Sequence, residues 1–194
     1  MRIRDKVKKP QRPVVAYEIL PPREKDGTLN SYAETISSLL SQTHIDAINI
    51  PEVLDEAGRG DRPIANYKRG EPREFGRLLQ DIVGIEAIVN RVVVHDDYDT
   101  QMKWFEETNK VYEIENMIIV GGESSNVEYP GPTVNQTLEA ISNIYNKDGN
   151  DIFCGGIAIP SRKEESKNLI KKSKNGSEFF TTQVLYDSKN IIKM

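Results

Sequence analysis

The chain has 194 residues, enough for one domain with a sizeable core, and a formal net charge of -4 with both signs interleaved, which excludes the basic footprint of a nucleic-acid binder. No apolar run approaches the roughly 18 to 20 residues that span a bilayer, so no membrane partner is expected. A single cysteine, Cys154, excludes an internal disulfide, and two histidines, His44 and His95, are too few for a histidine-rich metal site, so no metal is assigned.

The N-terminal MRIRDKVKKPQRP is basic and lacks the apolar stretch of a signal peptide. Residues 1–12 therefore read as a flexible lead-in, residues 13–194 as the folded domain, and the protein as cytoplasmic. VVAYEILPPR (14–23) reads as a strand covered on both faces, ended by a Pro-Pro pair that cannot donate to a ladder. It carries a lone carboxylate, Glu18. In so apolar a run an acid is either a structural ion-pair partner or a general acid with a raised pKa.

SYAETISSLL (31–40) predicts a helix capped by Ser31, with Glu34 completing a capping box and Ile36, Leu39 and Leu40 inward. AINI (47–50) is a short strand containing Asn49 and stopped by Pro51. Residues 51–73 form the longest irregular stretch, and Arg59, Arg62, Lys68 and Arg69 give it positive charge. A helix follows over 75–82 and a strand within 85–94. The stretch 99–114 is an amphipathic helix with Met102, Phe105 and Val111 inward. A strand over 116–124 ends in a Gly-Gly turn, and Thr133 caps a helix over 134–145. A strand at 151–160, a helix at 164–176 closed by Gly176, a strand at 178–187 and the start of a further helix complete the chain.

Six βα repeats predict a parallel sheet. No G-x-G-x-x-G follows the first strand, so the dinucleotide fingerprint of a doubly wound sheet is missing. Polar residues gather instead at strand C-termini, where (β/α)₈ barrels carry chemistry: Glu18, Asn49, His95, Glu123 and Gln183. The expected fold is a TIM-barrel-type (β/α)₈ architecture, incomplete with six units. Its first and last strands are then open edges, so a homo-oligomer or a partner chain is expected to cover them.

Three stretches in register resemble the methylenetetrahydrofolate reductase family of (β/α)₈ barrels. YEILPPR (17–23) is similar to its strand-one motif, IIVGGE (118–123) to an apolar strand ending in Arg-Gly-Asp, and NLIKKSKNGSEFFTTQVLYD (168–187) to its most distinctive segment. The resemblance implies a folate one-carbon reductase on the way to methionine, with NAD(P)H as reductant and Glu18 as the general acid that opens the methylene bridge. It makes Gln183 a contact of the folate pterin, Glu123 and Asn49 further substrate-side groups, and Gly122, Lys172 and His95 neighbours of the cofactor. The Arg of Arg-Gly-Asp is replaced by Gly121, and a flavin-contacting Tyr by Ile159, so FAD is expected to bind weakly or not at all. A non-catalytic folate-binding protein or partner subunit is the other reading. An unrelated barrel lyase is disfavoured, because no strand carries a lysine near its C-terminal end for a Schiff base.

Overall fold

A computed structural model describes residues 2–53, 68–122, 127–145 and 152–193. The chain divides into two compact units, Met1–Asn90 with Tyr112–Ile114, and Arg91–Val111 with Glu115–Met194.

In the first unit the lead-in folds, contrary to the sequence expectation. Residues Ile3–Lys8 form helix α1, and Ile3 is buried. The Ile3 amide donates to the Glu86 carboxylate. Lys6 and Arg12 both reach the buried Asp46, at 3.1 and 2.8 Å, and the Val15 amide donates to the same carboxylate at 3.0 Å. The Val15 amide leads in holding the Asp46 carboxyl well below its ordinary value, with Lys6 and Arg12 adding to it against the opposing effect of burial. A single apolar anchor in a six-residue basic helix gives no periodicity to read. These cations line a cleft of about 400 Å³ with Val14 and Asp46, but Lys6 and Arg12 are engaged with Asp46, which makes the contact a structural clamp.

Strands β1 (Ala16–Glu18), β2 (Ala47–Ile50) and β3 (Ala87–Val92) run parallel in that order. β1 is not covered on both faces as expected, since all three of its residues are exposed. Helix α2 (Leu29–Leu40) starts two residues early, because Thr28 and not Ser31 is its N-cap, its hydroxyl accepting from the Ser31 amide at 3.2 Å. Its inward face uses Ala33 and Leu40, and Leu39 is exposed. Helix α3 (Pro72–Val83) begins with Pro at its first position under an N-cap from Glu71, the two signals that place a helix start.

The pleat fixes what faces what. A Cβ on Gly76 of α3 would meet Ile50, Ala87 and Ile114 at 3.1 to 3.3 Å, so Ile50 and Ala87 face that helix. Ile48 pairs with Ala87 and Asn49 with Ile88. Alternation then turns Asn49, Ile88 and Asn90 to the opposite face, and Glu18 joins them as the partner of Asn49.

In the second unit β4 (Asn116–Val120), β5 (Phe153–Ala158) and β6 (Phe179–Thr182) are again parallel and in order. Helix α4 (Tyr98–Lys110) is capped by Asp97 and buries Met102, Trp104 and Phe105, while Val111, expected inward, is exposed beyond its end. Helix α5 (Val134–Ala140) carries the expected Thr133 cap, as a capping box with Gln136, and passes into a π-helical turn over Ile141–Tyr145. Helix α6 (Glu165–Lys174) ends at Asn175, with Gly176 at φ +111 taking the left-handed turn; a short α7 (Lys189–Lys193) follows. A Cβ on Gly156 would lie 3.5 Å from Lys172 of α6, so Gly156 faces that helix and Gly155, Ile118 and Phe179 turn away from it. The rings of Phe153 and Phe179 stack there at 4.6 Å between centroids.

Candidate functional site

Two of the residues expected at the site meet in the first unit. The Asn49 amide nitrogen donates to Glu18 Oε2 at 3.0 Å across the β1–β2 register. The apolar enclosure that sequence implied for Glu18 is not what surrounds it, because its side chain is exposed on β1. The chain beyond Glu18 is pinned. Ile19 donates its amide to the Asn49 carbonyl at 2.9 Å, Arg69 donates to the Pro21 carbonyl at 2.8 Å, and Gly70 donates to the Pro22 carbonyl at 3.0 Å. Arg69, expected to serve an anionic tail, thus holds the buried Pro-Pro turn. Arg59 and Arg62 lie outside the described residues.

The donation to Glu18 fixes the amide of Asn49, since a flipped amide would set oxygen against carboxylate. Its Oδ1 is buried and has no hydrogen-bond partner among the described residues. The Oδ1 of Asn90, a residue 8 % exposed, is in the same condition. A buried acceptor without a donor costs about 1 to 3 kcal/mol, and most such groups in folded proteins are paired. Two of them on one face, next to a carboxylate, make a row of acceptors that can receive N–H groups. Asn90 escapes a reading of strand ends, because it lies inside β3 and not at its C-terminus. The signal was present, as an amide inside the apolar run AIVNRVVV (87–94).

The other expected residues lie in the second unit. A Cβ on Gly122 would fall 2.3 Å from the Tyr129 ring, so the space that the resemblance gives to a flavin is filled by that tyrosine. His95 packs edge-on against the same ring, with centroids 5.5 Å apart. Tyr129 could not be assigned from sequence, since YPGPT (129–133) shows only turn chemistry. Arg91, on the strand before His95, is buried; it donates to Gln101 at 2.9 Å, pairs with Asp96 and lies over the Trp104 ring, all on the α4 side.

Lys172 donates to the Ile157 carbonyl and stands 3.7 Å from the buried Glu165. Burial pushes the Lys172 ammonium below its ordinary pKa, and Glu165 opposes that effect. Burial likewise disfavours the Glu165 anion, but the Ile159 amide, Asn168, Lys172 and Arg162 outweigh it and hold the carboxyl below its ordinary value. Lys172 therefore locks α6 to the end of β5. Gly122 is thus covered by Tyr129, and the Lys172 ammonium is engaged with Ile157 and Glu165. Gln183 is exposed just beyond β6, and Glu123 lies outside the described residues. Among the described residues no cluster of His, Cys, Asp and Glu could hold a metal ion, and no helix is long and apolar enough to cross a membrane.

No protein-family profile and no curated relative matches the chain. Solved structures do. An uncharacterized protein from Clostridium thermocellum that binds two copies of 5-methyl-5,6,7,8-tetrahydrofolic acid aligns with a TM-score of 0.73 at 17% identity, over 98% of this chain and 61% of that one. A putative dihydrodipicolinate synthetase from Pseudomonas aeruginosa aligns at 0.49 and 14% identity, over 93% of this chain and 58% of that one. The chain thus spans about three fifths of the length of these structures. The first likeness shows the fold: a partial, TIM-barrel-like α/β architecture with six parallel strands.

Proposed function

We propose that this chain binds a reduced folate, with the row Glu18, Asn49 and Asn90 facing the pterin. One observation carries the reading: the chain shares its fold, over 98% of its length, with a protein that binds 5-methyltetrahydrofolate. The unpaired oxygens of Asn49 and Asn90 support it, since a pterin presents N–H donors along one edge. Titration calorimetry with 5-methyltetrahydrofolate tests the proposal. Saturable binding with a Kd at or below about 100 µM, roughly -5.5 kcal/mol, is expected. A flat titration up to millimolar ligand would overturn it.

Reduction of a methylene folate is the second reading, favoured by the position of Glu18 at the C-terminal end of β1, where barrel enzymes place catalytic groups. There Glu18 would protonate the bridge nitrogen as the ring opens. Oxidation of NADH or NADPH in the presence of 5,10-methylenetetrahydrofolate, falling about 10² to 10⁴-fold in Glu18→Gln, is its expected signature. Binding without any such oxidation leaves the non-catalytic folate binder as the reading.

A further inference from the structure

We infer that Asn49 and Asn90 form a reader for the amino-pyrimidinone edge of the ligand, so that the first unit selects pterins by their 2-amino group. The inference rests on the folate reading and names the part of the ligand that this face recognises.

Asn49 spends its amide nitrogen on Glu18, which leaves only its oxygen for a ligand. Asn90 sits two residues beyond Ile88, the strand partner of Asn49, on the same face. Both oxygens are buried and have no donor among the described residues. Neighbouring strands lie about 4.8 Å apart and two residues along a strand add about 6.6 Å, so Asn49 and Asn90 stand on a diagonal of about 8 Å between Cα atoms, which a fused bicyclic heterocycle laid across β2 and β3 spans. The complement of two amide oxygens beside a carboxylate is an edge carrying several N–H groups. An amino-pyrimidinone has one, with an exocyclic NH₂ and a ring N–H side by side. A cation fits less well. One carboxylate and two amide oxygens fall short of the six to eight oxygens that calcium takes. A ligand carbonyl at this edge would set oxygen against the Oδ1 of Asn49, whose amide is fixed by its donation to Glu18.

This reader is separate from the acid role considered for Glu18. It needs no proton transfer, and it predicts discrimination between two ligands that differ at one atom. A site that holds the amino group by hydrogen bonds rejects the analogue lacking it strongly, because its buried acceptors are then left unpaired.

The experiment titrates the whole chain with 5-methyltetrahydrofolate, 6-methylpterin and 6-methyllumazine, the last bearing oxygen where the pterin bears its 2-amino group. The wild type should bind 6-methylpterin at least tenfold more tightly than 6-methyllumazine. Asn90→Leu should weaken 5-methyltetrahydrofolate at least tenfold, with a Tm equal to or above that of wild type because an unpaired acceptor has been removed. Asn90→Asp keeps the acceptor and should retain binding within a few-fold; it also provides the comparison if the leucine variant does not fold. Equal affinity for the pterin and the lumazine would overturn the inference, as would unchanged folate affinity in Asn90→Leu, and the folate reading would then stand alone. Pterin binding that depends on Asn90, with no binding of 5-methyltetrahydrofolate, would sink the folate reading and leave this reader in place. No binding of any of the three would overturn both.

Discussion

The two units build the same kind of parallel ladder and use the face turned from the helices in opposite ways. In the first unit that face carries Glu18, Asn49 and Asn90, two of them with buried oxygens lacking donors. In the second it carries Ile118, Gly155 and the stacked rings of Phe153 and Phe179. A Cβ on Gly155 would come within 2.4 Å of the Phe179 ring, so the glycine is what lets the stack close over the strand. One face stores unmet hydrogen-bonding capacity and the other satisfies itself by dispersion. On the folate reading, recognition falls to the first face and packing energy to the second, and substitutions should separate the two.

The largest effect is expected at the packed face. Phe153 is 1% exposed, and Phe153→Ala should cost about 3 to 5 kcal/mol in urea unfolding, the usual range for emptying a buried aromatic site. A loss below about 1 kcal/mol would mean that the stack is not a keystone of its unit.

Next comes Asp46, which tests whether the N-terminal clamp supports the unit with the polar row. Asp46→Asn keeps the shape and removes the charge facing Lys6 and Arg12, at an expected cost of about 2 to 3 kcal/mol. The folded-state pKa is depressed, so this stability is present above the ordinary value of 3.8 and is lost as pH falls below it. Wild type should weaken steeply as pH falls below about 4, with a shallower acid limb in Asp46→Asn. Deleting residues 1–10 removes Lys6 and the buried Ile3 while leaving Arg12 on Asp46, and should lower Tm. An unchanged Tm would restore the view of this segment as a dispensable lead-in.

Tyr145 gives a smaller and opposite pH signature. Burial, reinforced by Glu106 and Tyr98, pushes its hydroxyl up to about 12, and it donates to the Met102 carbonyl at 2.6 Å. A raised pKa means stability that is complete below about 10 and lost as pH rises toward 12. Tyr145→Phe should cost about 1 kcal/mol at neutral pH and flatten the alkaline limb. The smallest effect on stability belongs to Glu18→Gln, within about 0.5 kcal/mol, because the side chain is exposed. A drop of several kcal/mol there would recast Glu18 as a structural partner and erase the contrast between the two faces.

The alternation of strands and helices was legible because parallel strands are short apolar runs and the helices carry caps such as Asp97 and Thr133. Glu18 and Asn49 were legible as polar residues interrupting those runs. What escaped depends on distant contacts. Ile3 buries itself without a repeating pattern, and the burial of Asn90 depends on neighbours that a single strand does not reveal. Lys172 was read through the resemblance as a cofactor contact. Its role follows from Glu165, seven residues earlier on the same helix, and from the Ile157 carbonyl, and neither can be weighed without coordinates.

The segment over Pro130, Gly131 and Pro132 has one amide proton among its three residues, on Gly131, and it is donated to the Val94 carbonyl at 2.9 Å. A Cβ there would run into the backbone of Val93, Val94 and Asp96 at 2.3 to 2.7 Å, so main chain lies directly on main chain. That lone proton is a built-in reporter of local opening. It can exchange with solvent only when the strap bearing Tyr129 lifts from the turn bearing His95 and Asp96, so its exchange rate measures how often this part of the second unit breathes.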